Sequence, residues 1–196
     1  MAQSTSTIPL DKAVVTTYTS AETTASVTSV WNALVDTSTW PEWNRLIPKV
    51  IIDSHPDEKD KSSPIFQHGT KMSLLFNINA DNEMNTNAPP LEESSLVMLK
   101  GVITEFQPPS PENNQKGRIA WAVDLQAEGS WPKWLVYTER VHEVYQDSDS
   151  VKIEDWELQT GVMAYGLKWT MGGKLGRLRQ VWTENLKKFA EAQTTK

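Results

Sequence analysis

Hydrophobic and polar positions alternate through most of this chain, and near its end they change to a helical spacing. Val14 to Ser20, within "AVVTTYTS", is β-branched and aromatic, the composition of a strand beginning at about Ala13. "SVTSVWNALVDT" then places Val27, Val30, Trp31 and Leu34 on one helical face, with Ser26 positioned as N-cap. "TSTWPEWN" predicts a second short helix, with Pro41 tolerated in its first turn. Strands follow at "KVIID" and, after the turn marked by Gly69, at "KMSLLFNI", where Met72, Leu74, Phe76 and Ile78 share a face. Further strands are predicted at "SLVMLKGVITEFQ" and at "RIAWAVDLQ", with Ile119, Trp121, Val123 and Leu125 on one side. "WLVYTERVHEVY" and "SVKIEDWELQ" complete them, joined by the polar turn "QDSDS". Leu175, Leu178, Val181, Trp182, Leu186 and Phe189 then keep helical spacing, opposite a charged face. A helix of about 20 residues is roughly 30 Å long, enough to cross a curved sheet.

Two segments interrupt the pattern. The stretch 79–93 is polar and contains proline, and 107–117 carries "PPSPENNQKG". The first is long enough to serve as a lid over a binding site. Residues 1–12, rich in serine and threonine, are expected to form a flexible tail, leaving 13–192 as a single domain.

Composition narrows the chemistry. The 196 residues contain no cysteine, which excludes disulfides, thiolate metal sites and a cysteine nucleophile. A net charge of −6 argues against nucleic acid as a partner. The N-terminus has neither the basic nor the apolar region of a secretory signal, and no apolar run approaches the 18 or so residues of a membrane span. A cytoplasmic location is therefore expected. His55, His68 and His142 lack metal-ligand spacing, and the P-loop, dinucleotide-binding and nucleophile-elbow patterns are absent, so neither metal nor cofactor is expected.

Tryptophan is the anomaly. There are nine, and Trp31, Trp40 and Trp43 fall within the first two helices. Large aromatics serve equally as core and as the walls of a cavity for a flat apolar ligand. Trp31 is read as core; Trp40 and Trp43 are open to either role.

The stretch "SVWNALVDTSTWPEW" resembles the N-terminal signature of the START-like, SRPBCC helix-grip superfamily, which includes polyketide cyclase/dehydrase and lipid-transport groups. "HGTKMSL", "VITEFQPP" with "GRIAW", and "ELQTGVMAY" leading to "ENLKKFAEAQ" match in the same order, so the resemblance covers roughly residues 13–192. The two interrupted segments depart from the compact family pattern. The resemblance implies an α+β fold: a seven-stranded curved antiparallel sheet, two short helices, and a long C-terminal helix over an apolar cavity.

Strand parity constrains the chemistry of "YTERVHE". Tyr137, Glu139 and Glu143 share one face; Arg140 and His142 share the other. A proton-transfer group is thus Tyr137 with Glu139, or else His142 with a partner from elsewhere. The ordinary reading of these charges is cross-strand pairing on the solvent face. In "KIEDWELQ", Trp156 is expected inward and Glu157 outward. The expected ligand wall comprises Trp43, Met72, Leu74, Phe76, Trp121, Trp156, Tyr165, Trp169, Leu178 and Trp182, with aromatic core as the alternative for each tryptophan. The function expected is binding of a hydrophobic small molecule, as a cofactor-independent cyclase, dehydratase or isomerase of specialised, polyketide- or terpenoid-like metabolism. The alternative is a non-catalytic carrier or sensor of a lipid or aromatic metabolite. A homodimer is compatible with either.

Overall fold

The computed structural model describes residues 1–57, 62–77 and 96–194. Within these, seven antiparallel strands form one sheet: β1 (Val15–Thr23), β2 (Lys49–Ser54), β3 (Lys71–Phe76), β4 (Val97–Gln107), β5 (Gly117–Val123), β6 (Tyr137–Asp147) and β7 (Ser150–Thr160). Their spatial order is β1-β7-β6-β5-β4-β3-β2, a meander closed by pairing the first strand with the last. Helices α1 (Val27–Val35) and α2 (Trp40–Trp43) carry the chain from one sheet edge to the other. The expected α+β helix-grip architecture is the observed one.

Local chemistry sets these elements. Ser26 caps α1 by accepting from the Ser29 N–H at 3.1 Å. Asp36 ends α1 and caps the following 3-10 turn through Ser38 N at 3.0 Å. Trp40 is fully buried, donates its indole N–H to the Leu34 carbonyl at 3.2 Å, and meets Phe66 edge-on. Trp31 and Trp43 are buried in the same cluster, so all three early tryptophans are core. The interrupted segment 107–117 forms a compact turn with a 3-10 helix at Pro111–Asn113. The possible lid at 79–93 lies outside the described residues.

The C-terminal helix α3 (Val162–Thr194) has 33 residues, considerably more than the expected 20. Leu178, Trp182, Leu186 and Ala190 recur every fourth residue and are buried against the concave face. The extra turns at its start were hidden because "GLKWTMGGKLG" is glycine-rich, and glycine disfavours helix. Gly161 sets the entry to α3. Its φ is +95°, and a Cβ there would lie 2.6 Å from the Leu135 carbonyl, which accepts the Met163 N–H. Gly161→Ala should therefore cost at least about 2 kcal/mol in chemical denaturation, through both strain and clash.

Two expectations need correction. Leu125 is exposed, because β5 ends at Val123. Part of segment 1–12 rests on the sheet: Ile8 is buried among Trp156, Val141, Leu158 and Tyr137 on the convex face. Ser/Thr-rich composition suggested a tail, but the Ser6 and Thr7 hydroxyls bond a buried carboxylate. Ser6 Oγ (2.7 Å), Thr7 N (2.9 Å) and Thr104 Oγ1 (2.6 Å) all donate to Glu139.

Candidate functional site

Between the concave face and the first half of α3 lies an apolar cavity of about 220 Å³. Leu46, Phe76, Val97, Leu99, Trp121, Val136, Leu167, Met171, Leu175 and Leu178 supply its apolar lining. Thr138 and Arg140 from β6, Glu157 and Gln159 from β7, and Arg179 from α3 supply its polar lining.

Strand parity and register bring these polar groups together. Thr138, Arg140 and His142 face inward on β6, directly opposite Gln159, Glu157 and Asp155 on β7. Arg140 donates through Nε to Asp155 Oδ1 at 2.9 Å and through Nη2 to the other carboxylate oxygen. Its guanidinium also lies 4.4 Å from the Trp182 ring centre. Arg179 pairs with Glu157, which also accepts from the Gln159 side-chain amide. Two guanidiniums and two carboxylates thus balance within one buried network. Burial and neighbouring Arg140 lower the Arg179 pKa, a shift opposed by Glu157 and Asp155. Three donor nitrogens, Arg140 Nη1 and Arg179 Nε and Nη1, have no partner among the described residues. Buried donors of this kind suit oxygen acceptors on a ligand.

His142 lies below this network, between the rings of Trp121 (4.3 Å) and Trp182 (4.5 Å). Its Nδ1 is 3.8 Å from Asp155 Oδ1. Burial, followed by the charges of Arg140 and Arg179, pushes its pKa well below the ordinary value, so the ring is neutral. It does not line the cavity. Its place is inside the aromatic core.

Of the expected ligand wall, Phe76, Trp121 and Leu178 do line the cavity. Trp43, Met72, Leu74 and Trp182 instead fill the core around it. Trp156 is buried but on the convex face, where residues 1–13 cover it, so Glu157 takes the inward position. The expectation assumed one buried face; here both faces of β7 are covered. Tyr165 (67% exposed) and Trp169 (92%) lie within α3 and point to solvent. The proton-transfer pair Tyr137 and Glu139 also faces away from the cavity, because β6 turns its Arg140 side inward.

Burial raises the Tyr137 pKa. At Glu139 burial pushes upward, but hydrogen bonds from Thr104, Thr5, Thr7 and Ser6 outweigh it and hold the pKa below 4.5. A depressed carboxylate contributes stability above its unfolded pKa and loses it as pH falls through the folded value. Stability should thus decline below about pH 4.5, and Glu139→Gln should flatten that slope, in denaturation curves between about pH 3 and 6. An equal slope in both proteins would show that Glu139 does not anchor the N-terminal segment.

Arg140, Gln159 and Arg179 were not among the expected site residues. The available signal was the same-face series Asp155, Glu157, Gln159 opposite Thr138, Arg140, His142; the Arg179 pairing, across a turn and half a helix, has none. His55 is structural, its ring between Thr70 Oγ1 (3.0 Å) and the Ser63 carbonyl (2.9 Å). Among the described residues there is no cluster suited to a metal ion, and no helix is long and apolar enough to cross a membrane.

The comparisons with known proteins agree with this architecture. The sequence is 35% identical, over 198 residues, to oxopyrrolidines biosynthesis cluster protein O of Penicillium oxalicum, covering 97% of this chain and 93% of that protein. A START superfamily protein from Mycobacterium smegmatis superposes with a TM-score of 0.54 at 13% identity, over 92% of this chain and 97% of its own. The di-domain ARO/CYC protein BexL, from the BE-7585A biosynthetic pathway, gives 0.57 at 12% identity, over 92% of this chain and 48% of its own. No family profile matches the sequence.

Proposed function

Because this chain belongs to the family of the Penicillium oxalicum oxopyrrolidines biosynthesis cluster protein O and has the START-like helix-grip fold, we propose that it acts on a hydrophobic, carbonyl-bearing intermediate of specialised metabolism. The observation that carries this reading is the composition of the cavity: an apolar chamber with guanidinium N–H donors and a carboxylate at one end. The activity proposed is cofactor-independent cyclisation, dehydration or isomerisation.

In this reading the apolar wall, with Trp121 and Leu178, folds the substrate and sets the reacting carbons close together. Arg140 and Arg179 donate to a substrate carbonyl oxygen. Glu157 takes a proton from the adjacent carbon, and the electron pair passes to that oxygen, where the guanidinium N–H groups stabilise it. The enolate carbon then attacks a second carbonyl, whose oxygen takes the proton back from Glu157; or Glu157 returns the proton to a different carbon of the enolate; or it gives the proton to a β-hydroxyl that leaves as water. The relative's association with oxopyrrolidine biosynthesis supports a carbonyl-bearing substrate.

A carrier without chemistry is the second reading, favoured by the ion-pairing of both buried carboxylates, Asp155 and Glu157. Incubation with a hydrophobic extract of the source cells, followed by chromatography and mass spectrometry, separates the two. An isomer, or a product lighter by water, supports the enzyme. A compound retained with mass and retention time unchanged supports the carrier.

A further inference from the structure

A second feature adjoins the cavity from outside. Trp131, Trp134, Val162, Met163, Tyr165 and Trp169 are all exposed, Trp134 at 68% and Trp169 at 92%. They form one surface region, because the start of α3 is bonded to the segment before β6: Val162 N donates to the Trp134 carbonyl at 3.1 Å and Met163 N to the Leu135 carbonyl at 2.9 Å. Apolar patches of this kind on a soluble domain mark interaction sites.

The local charge identifies the partner. From Gly161 to Leu178 the sequence contains Lys168, Lys174 and Arg177 but no Asp or Glu, and "GSWPKWLVYT", 129–138, contains Lys133 and no acid. This is a cationic region in a chain of net charge −6. Exposed tryptophan and tyrosine beside lysine and arginine is the composition that seats at the headgroup level of a bilayer, with the aromatics in the interface and the cations on anionic lipid. We propose that this patch docks the protein on an anionic lipid surface.

The position of the patch gives the docking a purpose. Tyr165 and Trp169 lie on the outer side of the same helical turns whose inner side, Leu167, Met171 and Leu175, roofs the cavity. Those turns also contain Gly166, Gly172 and Gly176, where a Cβ would meet nothing within 4 Å. Packing does not require these glycines, and their effect is to weaken the helix where it covers the cavity. A docked protein therefore holds the weakest part of its roof against the apolar phase, and an apolar ligand can pass between bilayer and cavity without crossing bulk water.

Vesicles of phosphatidylcholine, with and without phosphatidylserine and carrying brominated acyl chains, provide the test. Wild-type protein should co-sediment with the anionic vesicles, show quenched tryptophan fluorescence, and be released by high salt. The Trp134→Ser/Trp169→Ser double variant should bind at least tenfold more weakly; both residues are exposed, so its denaturation midpoint should match wild type. Equal sedimentation of the two proteins would overturn the proposal. So would the absence of vesicle binding together with a wild-type dimer that the double variant loses, since a second copy would then cover the patch. Capture of an apolar dye without vesicles tests the cavity separately, and should be the same in both proteins.

Discussion

Asp155→Ala is expected to destabilise the protein by about 3–5 kcal/mol, the cost of leaving a buried charge without its partner. Asp155 is 1% exposed and holds Arg140 through two hydrogen bonds. Removing the carboxylate leaves the guanidinium, 2% exposed and packed against Trp182, without its hydrogen-bonded counter-charge. His142, also close to Asp155, is neutral and cannot substitute for the lost charge. Urea denaturation measures the loss. A decrease below about 1 kcal/mol would place the pair in a solvated setting like that of a surface salt bridge. The double variant Asp155→Leu/Arg140→Met should recover most of the stability, because apolar groups of similar volume often replace a buried ion pair at little cost. If the double variant were as unstable as the single, packing and not the unpaired charge would account for the effect.

The second large effect concerns chemistry. In the proposed reaction Glu157→Gln should lower turnover by about 10²–10⁴-fold, the usual contribution of a general base, while the amide still occupies the same volume beside Gln159 and Arg179. Ligand affinity should change far less, since the apolar wall is untouched. Single-turnover rates and equilibrium binding on the same preparation separate the two quantities. Glu139→Gln serves as the contrast: its side chain faces the N-terminal segment on the convex side, so turnover should stay within about twofold of wild type. Loss of turnover in Glu139→Gln and not in Glu157→Gln would reverse the assignment of the two faces. Unchanged turnover in both would remove carboxylate base catalysis from the mechanism.

These predictions depend on which face of a strand meets the cavity, and there sequence and structure contribute differently. Hydrophobic spacing was sufficient for α1, for α2 and for the seven strands and their order of appearance, because period and capping are local properties of the chain. The fold itself came from the resemblance of four motifs to the helix-grip superfamily. Parity, too, was readable: Tyr137 and Glu139 on one side of β6, Arg140 and His142 on the other. Which side faced inward was not, since alternation is symmetric until something covers a face.

That decision came from distant parts of the chain. Ile8, Ser6 and Thr7 cover the convex face, where they bury Trp156 and satisfy Glu139. Arg179, from α3, reaches Glu157 and makes a buried charge tolerable on the concave face. A sequence ranks residues by their intrinsic preference for water, and by that rule the tryptophan belonged inward and the glutamate outward. Tertiary structure reversed the order because the cost of burying a charge depends on its partner, and the partner is chosen by the fold.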